Sequence, residues 1–445
     1  MPSHSRPSAP HKASDETMMI TDNVQLSRRA ESAGGNPIGY LMHQALSRPE
    51  LISLAAGFVC QDTLPVEAMR KANQLVLAND QQARQALQYG TTAGFAPLRQ
   101  NLLERTVDAD CQSLAESPHT LDSVIVTAGS NQLLHLVSET LCDPGDIVLC
   151  GAPTYFVYLG ALEGLSVRSH GVATDDGGII PEAVEQALEQ LDAAGELPRV
   201  KAIYVPSYYD NPASTTLAIH RREQLVEIAR RWSRHGRIFI IEDAAYRELR
   251  YYGDDVPSIL SFDDRGDTVI HAGTFSKSFA PGVRIGWGIL PKPLVQPLLN
   301  QKGNLDFGSP NYNQCLMNVV VEEGLLDEHI EKIRAGYRDK LQAMLEAAQE
   351  HLSPIADLHW LDVEGGLYVW LKLPRHMEAG VDEPLFHAAL DQGVLYVPGE
   401  FCYPAEGLPV EKNSIRLSFG VQTPDRIRQG VRLLANAVRG LRLEA

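Results

Sequence analysis

The sequence predicts an α/β domain built on a largely parallel sheet, followed by a smaller α+β domain. From Leu51 onward, short apolar runs alternate with helical patterns, and runs such as residues 238–241 are apolar at every position. Continuous apolar strands are typical of sheets that helices cover on both faces, and the intervening helices predict right-handed parallel crossovers. After about residue 310, one long helical stretch precedes three β-like segments, which indicates the second domain.

The individual elements follow from the local patterns. In the larger domain, strand patterns occupy residues 124–126, 146–155, 200–208, 237–246 and 268–277, and helical patterns occupy residues 131–141 and 221–236. In the smaller domain, helical patterns at 326–352 and 426–445 enclose strand patterns at 365–373, 394–399 and 414–420. We therefore expect four segments: a disordered arm at 1–35, a segment at 36–60 that packs with the small domain, a large domain at 61–310 and a small domain at 311–445.

Composition bounds the possible functions. The chain has 445 residues, is 44% hydrophobic and carries a net charge of −17, as expected for a globular protein of roughly two to four domains. A strongly acidic chain is a poor partner for nucleic acid, because phosphate backbones are bound by clustered Lys and Arg. Small anionic ligands need only local positive groups, so the net charge does not exclude them.

The cysteines and the apolar runs indicate where in the cell the protein is located. Six cysteines lie far apart without a C-x-x-C pair, which predicts neither a zinc site nor a disulfide framework, so we expect no metal. The N-terminus lacks a signal-peptide core, and no stretch reaches the roughly 18 apolar residues of a membrane helix. These observations predict a soluble, cytoplasmic protein with no membrane partner.

The most informative segment runs from Gly273 to Trp287. Lys277 stands between hydroxyl residues at the end of a strand, and Arg284 follows seven positions later among glycines. This arrangement fits an amine that forms a Schiff base beside a phosphate clamp. The alternative is a solvated lysine in a Ser/Gly loop.

A carboxylate follows another strand of the same predicted sheet. Asp243 comes directly after the apolar run 238–241, and Tyr246 lies three residues further on. Ligands of open α/β sheets bind at the carboxyl ends of strands, where a carboxylate can keep a pyridine nitrogen protonated and a phenol can hydrogen-bond a phenolic oxygen. Asp243 is equally suited to capping a helix.

Two further strand ends carry candidate ligands of a planar, anionic group. Ser130 begins a helix directly after the strand at 124–126, so free backbone N–H groups and the helix dipole favour an anion there. Tyr155 follows the strand pattern at 146–155 and is placed to stack on a planar ring. A simple capping turn and a core aromatic are the alternatives.

Two polar residues complete the candidate site. Asn211 offers a side-chain amide in a turn constrained by Pro212. Arg416 stands alone in the apolar strand pattern at 414–420, and its guanidinium matches a carboxylate with two hydrogen bonds. That carboxylate belongs either to a substrate or to an internal salt bridge.

Together these segments resemble the fold type I pyridoxal-phosphate enzymes, specifically the class I and II aminotransferases and their 2-aminoadipate and kynurenine aminotransferase subgroup. The resemblance runs from about Pro37 to the C-terminus and rests on S-K-x-x-x-P-G-x-R-x-G-W at 276–287, N-P at 211–212 and D-x-x-Y at 243–246. It implies a mostly parallel, seven-stranded-type sheet between helices, with a smaller α+β domain. It also implies the cofactor pyridoxal 5′-phosphate.

The resemblance assigns a role to each matching residue. Lys277 would hold the cofactor as an internal aldimine and shuttle the proton, with Asp243 on the ring nitrogen and Tyr155 stacked on the ring. Asn211 and Tyr246 would contact the ring oxygen, while the phosphate would be held by Ser130, Asn131, Ser276 and Arg284. Arg416 and the backbone of Gly57 would bind the substrate carboxylate, together with Asn211. Tyr89 would reach the phosphate of a neighbouring subunit, which implies a homodimer with shared active sites.

The sequence departs from the family pattern at several positions. Ala213 and Ser214 replace the usual residues after N-P, and Asn131 replaces a glutamine of the phosphate loop. Gly39 stands where the subgroup tends to have an arginine that meets a second carboxylate. With Tyr40, Phe58 and Tyr208 as candidate lining residues, this change indicates tolerance of neutral side chains.

The function that follows is transamination, in which an L-amino acid gives its amino group to a 2-oxo acid, 2-oxoglutarate or pyruvate. Elimination, decarboxylation or cyclisation on the same cofactor is the alternative, because the binding motifs do not separate these reactions. A third hypothesis is a ligand-sensing regulator. Such a protein needs a DNA-binding module before this domain, and the roughly 35 residues that precede Pro37 are too few to form one.

Overall fold

The computed structural model describes residues 25–32 and 37–443. The sequence prediction of a disordered arm at 1–35 lies mostly outside the described residues. The strands of the structure are β1 (Ile52–Ser53), β2 (Val124–Thr127), β3 (Ile147–Ala152), β4 (Arg168–Asp175), β5 (Gly178–Ile179), β6 (Val200–Pro206), β7 (Phe239–Asp243), β8 (Val269–Thr274), β9 (Gly286–Ile289), β10 (His359–Trp360), β11 (Tyr368–Lys372), β12 (Val394–Leu395), β13 (Val397–Pro398) and β14 (Ser414–Ser418).

Helices connect most of these strands. In chain order they are α1 (Arg28–Ser32), α2 (Pro37–Ser47), α3 (Val66–Leu77), α4 (Asp80–Leu87), α5 (Ala96–Ala109), α6 (Ser130–Leu141), α7 (Phe156–Gly164), α8 (Pro181–Ala193), α9 (Ile219–Trp232), α10 (Phe275–Ser278), α11 (Lys292–Asp306), α12 (Asn311–Glu322), α13 (Leu325–His351), α14 (Pro384–Gln392) and α15 (Pro424–Leu443).

The larger sheet has the strand order β2-β9-β8-β7-β6-β3-β4-β5. Its central strands β7 and β8 are buried at every residue, because helices cover both faces. Successive residues of a strand point to opposite faces, so Ile240 packs into one apolar cluster with α8 and α9 while Ile241 packs into another with α6, α7 and α11. The continuous apolar runs of the sequence have this physical origin.

Two details of this sheet go beyond the expected seven mostly parallel strands. The pairs β3–β4, β3–β6, β6–β7 and β7–β8 are parallel, whereas β9 is antiparallel to both of its neighbours. Only residues 275–285 separate β8 from β9, and α10 occupies the first four, so the connection is too short for a parallel crossover of a dozen or more residues. The two-residue β5 adds an eighth, antiparallel strand at the edge.

The smaller sheet has the order β10-β11-β14-β13 and is antiparallel throughout. Helices α13, α14 and α15 pack together beside it. β1 pairs in parallel with β12, which ties the segment before the large sheet to this part of the chain. By contrast, α12 packs against α3 and α5 rather than against the small sheet. The predicted limits at 61–310 and 311–445 stay predictions.

Among residues 25–32 and 37–443, no helix combines the length and the apolar composition needed to cross a bilayer.

Candidate active site

A cavity of about 390 Å³ lies where the carboxyl ends of the large-sheet strands face the small sheet. It contains most of the residues that the sequence singled out. The wall includes Gly57, Ser130, Asn131, Tyr155, Asn211, Asp243, Tyr246, Ser276, Lys277, Arg284 and Arg416. Clefts of this size with a few convergent polar groups are typical of small-molecule sites.

Lys277 is presented by the short helix α10 at the end of β8. The hydroxyl of Thr274 caps this helix by accepting the backbone N–H of Ser276 at 3.1 Å. Lys277 Nζ donates to the carbonyl oxygen of Gly57 at 3.0 Å and lies 5.7 Å from the ring centroid of Tyr246. The amine therefore sits on the cavity wall without a carboxylate partner in the described chain.

Gly57 has a steric reason to be glycine. A Cβ built at this position would lie 2.5 Å from the hydroxyl oxygen of Tyr368, well inside van der Waals contact. Tyr368 in turn shares a 3.0 Å hydrogen bond with the hydroxyl of Tyr246. The backbone at Gly57 can therefore approach both the lysine and the two phenols.

Asp243 ends β7 and is 8% exposed. Its carboxylate accepts a hydrogen bond from the hydroxyl of Tyr204 at 2.9 Å and from the backbone N–H of Ala245 at 3.1 Å. Burial raises the pKa of Asp243, and the Tyr204 hydrogen bond opposes that rise. No lysine or arginine within residues 25–32 and 37–443 forms a salt bridge with it, so the site offers a buried carboxylate to a cationic group.

Removing the Tyr204 hydroxyl is expected to weaken the ionised form of Asp243. In Tyr204→Phe the carboxylate loses one of its two donors, so its pKa rises further and kcat falls by about 10-fold, with the acidic limb of the kcat pH profile moving to higher pH. Tyr158→Phe is the matched control, because Tyr158 stacks on Tyr204 at 4.2 Å while its hydroxyl bonds Ser138. A Tyr204→Phe enzyme whose pH profile coincides with that of Tyr158→Phe would contradict this role.

The start of α6 has the features of an anion-binding position. Gly129 precedes this helix with φ +87°, and a Cβ at Gly286 would come within 2.5 Å of the backbone nitrogen of Ser130. Only glycines allow the two backbones to approach this closely. Arg284 adopts the left-handed region with φ +51°, and its guanidinium donates to the carbonyl of Ala128 at 3.0 Å. The helix dipole and Arg284 thus place positive charge at one end of the cavity.

Further polar groups line the end of the cavity that is formed by Arg284 and the start of α6. Arg284 also lies 3.5 Å from the hydroxyl of Ser276, and the hydroxyl of Tyr155 donates to the side-chain oxygen of Asn131 at 3.4 Å. Tyr155 comes directly before α7, with its ring on the cavity wall. Asn131 therefore has a protein contact of its own in the position where the family pattern has glutamine.

Arg416 lies on β14 and is 3% exposed. Its guanidinium donates to the side-chain oxygen of Asn211 at 2.7 Å and to the carbonyl oxygen of Ala55 at 2.8 Å, and it stacks 4.3 Å from the ring centroid of Tyr368. No Asp or Glu of the described chain pairs with it, so the internal salt bridge considered from the sequence is not formed. The charge of this buried arginine is left for an external anion.

The turn that carries Asn211 also buries an acid. Asp210 is 6% exposed, and its Oδ1 accepts the backbone N–H and the hydroxyl of Thr215 at 2.8 and 3.0 Å. Burial raises the pKa of Asp210 from 3.8 to about 7 despite these hydrogen bonds. The protonated form is therefore the one that this environment favours.

This shift predicts a pH-dependent loss of stability. A carboxyl whose pKa is higher in the folded state contributes most below pH 4 and loses that contribution as the pH rises to about 7, by up to about 4 kcal/mol. We expect Asp210→Asn to be more stable than the parent at pH 8 and to show a smaller loss of free energy of unfolding between pH 5 and pH 8. Denaturant melts at both pH values measure this difference, and parallel pH dependences of the two proteins would contradict it.

Several residues of the site were not singled out from the sequence. Tyr204 and Tyr368 lie inside strands, where a tyrosine usually packs in the core, and Phe156 lies 5.4 Å from the guanidinium of Arg416. Phe58 does line the cavity. Tyr208 instead donates its hydroxyl to the carbonyl of Val256, and Tyr40 packs 6.4 Å from the ring of Phe386.

Tyr89 lies away from this cavity. Its side chain is 82% exposed, and its ring packs edge-on at 5.5 Å against that of Phe307, which is 63% exposed. Within a single chain it is therefore not brought together with Lys277 and Arg284.

Comparison with known proteins identifies the family. The profile described as "Aminotransferase class I and II" matches residues 49–434. The chain belongs to the class I and II aminotransferases. This aminotransferase is 35% identical to aromatic-amino-acid aminotransferase 1 of Thermococcus litoralis over 391 residues, which are 88% of each chain.

Solved structures agree with this membership. The crystal structure of kynurenine aminotransferase from Pyrococcus horikoshii, in complex with PMP, is 31% identical with a TM-score of 0.85 and covers 95% of this chain and 98% of its own. The α-aminoadipate aminotransferase LysN from Thermus thermophilus, complexed with N-(5′-phosphopyridoxyl)-L-leucine, is 28% identical with a TM-score of 0.80 over 94% of this chain and 98% of its own. The predicted fold type, the aminotransferase activity and the cofactor pyridoxal 5′-phosphate are confirmed.

Proposed function

We propose that this aminotransferase takes the amino group from amino acids with large, neutral, apolar or aromatic side chains and passes it to a 2-oxo acid, 2-oxoglutarate or pyruvate. The observation that supports the proposal is that the cavity contains both Arg416, whose charge no carboxylate of the described chain neutralises, and a separate apolar wall. That wall is formed by Leu41, Ala45 and Leu46 of α2 together with Phe58 and Val397.

The cavity fits pyridoxal 5′-phosphate at three points. The buried Asp243 would offer its carboxylate to the pyridine nitrogen, the backbone at the start of α6 and Arg284 would hold the phosphate, and Lys277 would offer an amine to the aldehyde. Tyr155 provides a ring for stacking, and Ser130, Asn131 and Ser276 add polar groups around the phosphate. Tyr246 and Asn211 line the same cavity and would contact the ring oxygen. When bound, the cofactor supplies an electron sink for the bonds of the substrate Cα.

Lys277 would move the proton at the substrate Cα. Its Nζ is held by one hydrogen bond to the Gly57 carbonyl, a weak neutral partner that leaves the amine able to turn toward the cavity. The aromatic ring of Tyr246 on one side restricts the approach of water to this nitrogen. Lys277 is thus positioned to act as base and then as acid.

Arg416 would orient the substrate through its carboxylate. Asn211 and the Ala55 carbonyl hold two of its nitrogens, so the guanidinium plane is fixed before the substrate arrives. Its Nε is buried and has no hydrogen-bond partner within residues 25–32 and 37–443. A carboxylate that bridges this arginine leaves the substrate side chain to the apolar wall formed by α2 and Phe58.

A half-reaction screen tests the proposal. The holoenzyme is mixed with each amino acid in turn, and conversion of the bound cofactor to its amine form is followed by the loss of visible absorbance. We expect phenylalanine, tyrosine, tryptophan and leucine to react at least about 10-fold faster than aspartate and 2-aminoadipate, since an unpaired carboxylate is costly against an apolar wall. A preference for either dicarboxylic amino acid would contradict the proposal.

We also propose a homodimer in which Tyr89 reaches the phosphate of the partner's site. Tyr89 and Phe307 form an exposed aromatic pair, and Leu87 and Leu305 beside them are 70% and 60% exposed. An exposed apolar group of this kind is typical of an interface. Sedimentation equilibrium is expected to give twice the chain mass, with a monomer for the double variant Tyr89→Glu, Phe307→Glu.

We place the protein in the cytoplasm. All six cysteines are free in the structure, as expected where thiols are kept reduced. Fractionation of expressing cells with an antibody to the chain tests this location, and recovery from an oxidising compartment would contradict it.

A further inference from the structure

A second cavity of about 330 Å³ lies between the large sheet and the strands β10 and β11. Among the described residues it shares only Tyr204 and Pro206 with the active-site cavity. The remaining wall comes from strands β3 to β6, β10 and β11 and from the loops at 210–215 and 403–411. Its volume lies at the lower end of the range typical of small-molecule sites. None of the steps proposed for transamination uses it.

The wall combines aromatic rings with carboxylates. Trp360, Trp370 and Tyr403 supply the aromatic surface. Asp175, Asp176, Asp210 and Glu411 supply carboxylates, and Lys372 is the one lysine or arginine that lines the cavity among the described residues. Aromatic faces and carboxylates both attract cations, so the chemistry of this wall selects against anions.

The existing ion pairs leave part of this negative charge unmatched. Lys372 pairs with Glu411 at 2.9 Å, and Arg221 pairs with Asp175 at 2.6 Å. In the described chain no salt bridge is formed by Asp176 or by Asp210, whose carboxyl is ionised at pH 8 because its pKa of about 7 lies below that pH. A ligand with one positive charge therefore complements the wall.

A buried hydroxyl adds a polar contact. Thr154 is 1% exposed and belongs to the wall, yet its Oγ1 has no hydrogen-bond partner in the structure. Buried hydroxyls are normally paired, so an unpaired one beside a cavity marks a place for a donor on a ligand. An ammonium N–H supplies such a donor, whereas a purely apolar ligand does not.

We propose that the second cavity is a binding site for a small protonated amine with an apolar or aromatic body. The body would lie against Trp360 and Trp370, and the charged nitrogen would face Asp210 and Thr154. Because the ring of Tyr204 separates this cavity from Asp243, the bound amine would lie one side chain away from the reaction centre.

Calorimetric titration of the holoenzyme at pH 8 tests the proposal, with N,N-dimethyl-2-phenylethylamine as the probe. This tertiary amine is protonated and carries an N–H, but it does not condense with the aldehyde of the cofactor. We expect saturable binding of one molecule per chain, and at least about 10-fold weaker binding of the neutral 2-phenylethanol. Equal affinity for the two compounds, or no saturable heat with the amine, would overturn the proposal.

Variants of residues in the cavity wall test whether the amine binds in this cavity. Trp360→Ala should weaken the affinity by about 10-fold and Lys372→Met should strengthen it by about 3-fold, because the first removes aromatic surface and the second removes a repelling charge. Lys412→Met is the matched control, since Lys412 pairs with Glu378 at 3.4 Å outside the cavity and should leave the affinity within about 2-fold.

A variant at a partly exposed position tests the site even if Trp360→Ala does not fold. Leu408 lines the cavity but is 40% exposed, so Leu408→Arg is expected to fold while adding a charge that repels the amine. We expect about 5-fold weaker binding. Unchanged affinity in both Leu408→Arg and Lys372→Met would place the probe elsewhere and overturn the assignment.

Discussion

Replacing Lys277 by methionine (Lys277→Met) is expected to abolish the visible absorbance of the bound cofactor and to lower kcat by roughly 10³-fold or more. The substitution keeps the length of the side chain but removes the amine on the cavity wall. Both the attachment of the cofactor and the proton transfer at Cα depend on that nitrogen. Absorption spectra and single-turnover kinetics with phenylalanine measure the two effects.

A second lysine provides the control for this experiment. Lys340 is buried, whereas Lys277 is half-buried, and the Nζ of Lys340 donates to the carbonyl of Gly420 at 2.9 Å, much as Lys277 donates to Gly57 at 3.0 Å. Lys340→Met therefore removes an equivalent amine and hydrogen bond away from the active-site cavity. It should retain the cofactor absorbance. If Lys277→Met also retains it, the assignment of Lys277 is wrong.

Replacing Arg416 by methionine is expected to lower kcat/KM for the amino donor by roughly 10²- to 10³-fold, as expected for a lost charged pair to a carboxylate. The cofactor absorbance should persist, because Arg416 contacts Asn211, Ala55 and Tyr368 rather than the phosphate end of the cavity. Arg416→Lys should be intermediate, since lysine keeps the charge but lacks the planar fork.

The choice of substrate separates binding from folding in this test. An amine without a carboxylate, such as 2-phenylethylamine, has nothing to pair with Arg416, so its slow half-reaction should be the same in the parent and in Arg416→Met. A variant that merely misfolds would lose both reactions. If kcat/KM for phenylalanine stays within about 5-fold of the parent, Arg416 is not the carboxylate-binding residue.

Local sequence patterns predicted much of the architecture. The apolar run at 238–241 predicted a strand covered on both faces, and β7 is buried throughout. The change of pattern after residue 310 predicted a second, smaller sheet, and β11 and β14 form its centre. Strand β9 was not among the predicted strands, because two of its four residues are glycines, which are depleted in strands.

The candidate site was predicted unevenly. Lys277, Asp243 and Arg416 carry charges in otherwise apolar or small-residue contexts, so each stands out from its own segment. Tyr204 and Tyr368 do not, because a tyrosine in a strand pattern normally belongs to the core. Their contacts with Asp243 and Arg416 depend on which strands become neighbours and on how the small sheet meets the large one.

By itself the sequence determined the fold class, the family resemblance and the strand ends that carry polar groups, because hydrophobic period and turn residues act over a few positions. The tertiary structure decided which of those groups meet. Lys277 contacts a carbonyl 220 residues away, and Arg416 contacts an amide 205 residues away. It also decided that Arg416 lacks an internal carboxylate and that a second, acidic and aromatic cavity lies behind Tyr204. Such pairings follow from strand order and domain packing, which no short segment of the chain encodes alone.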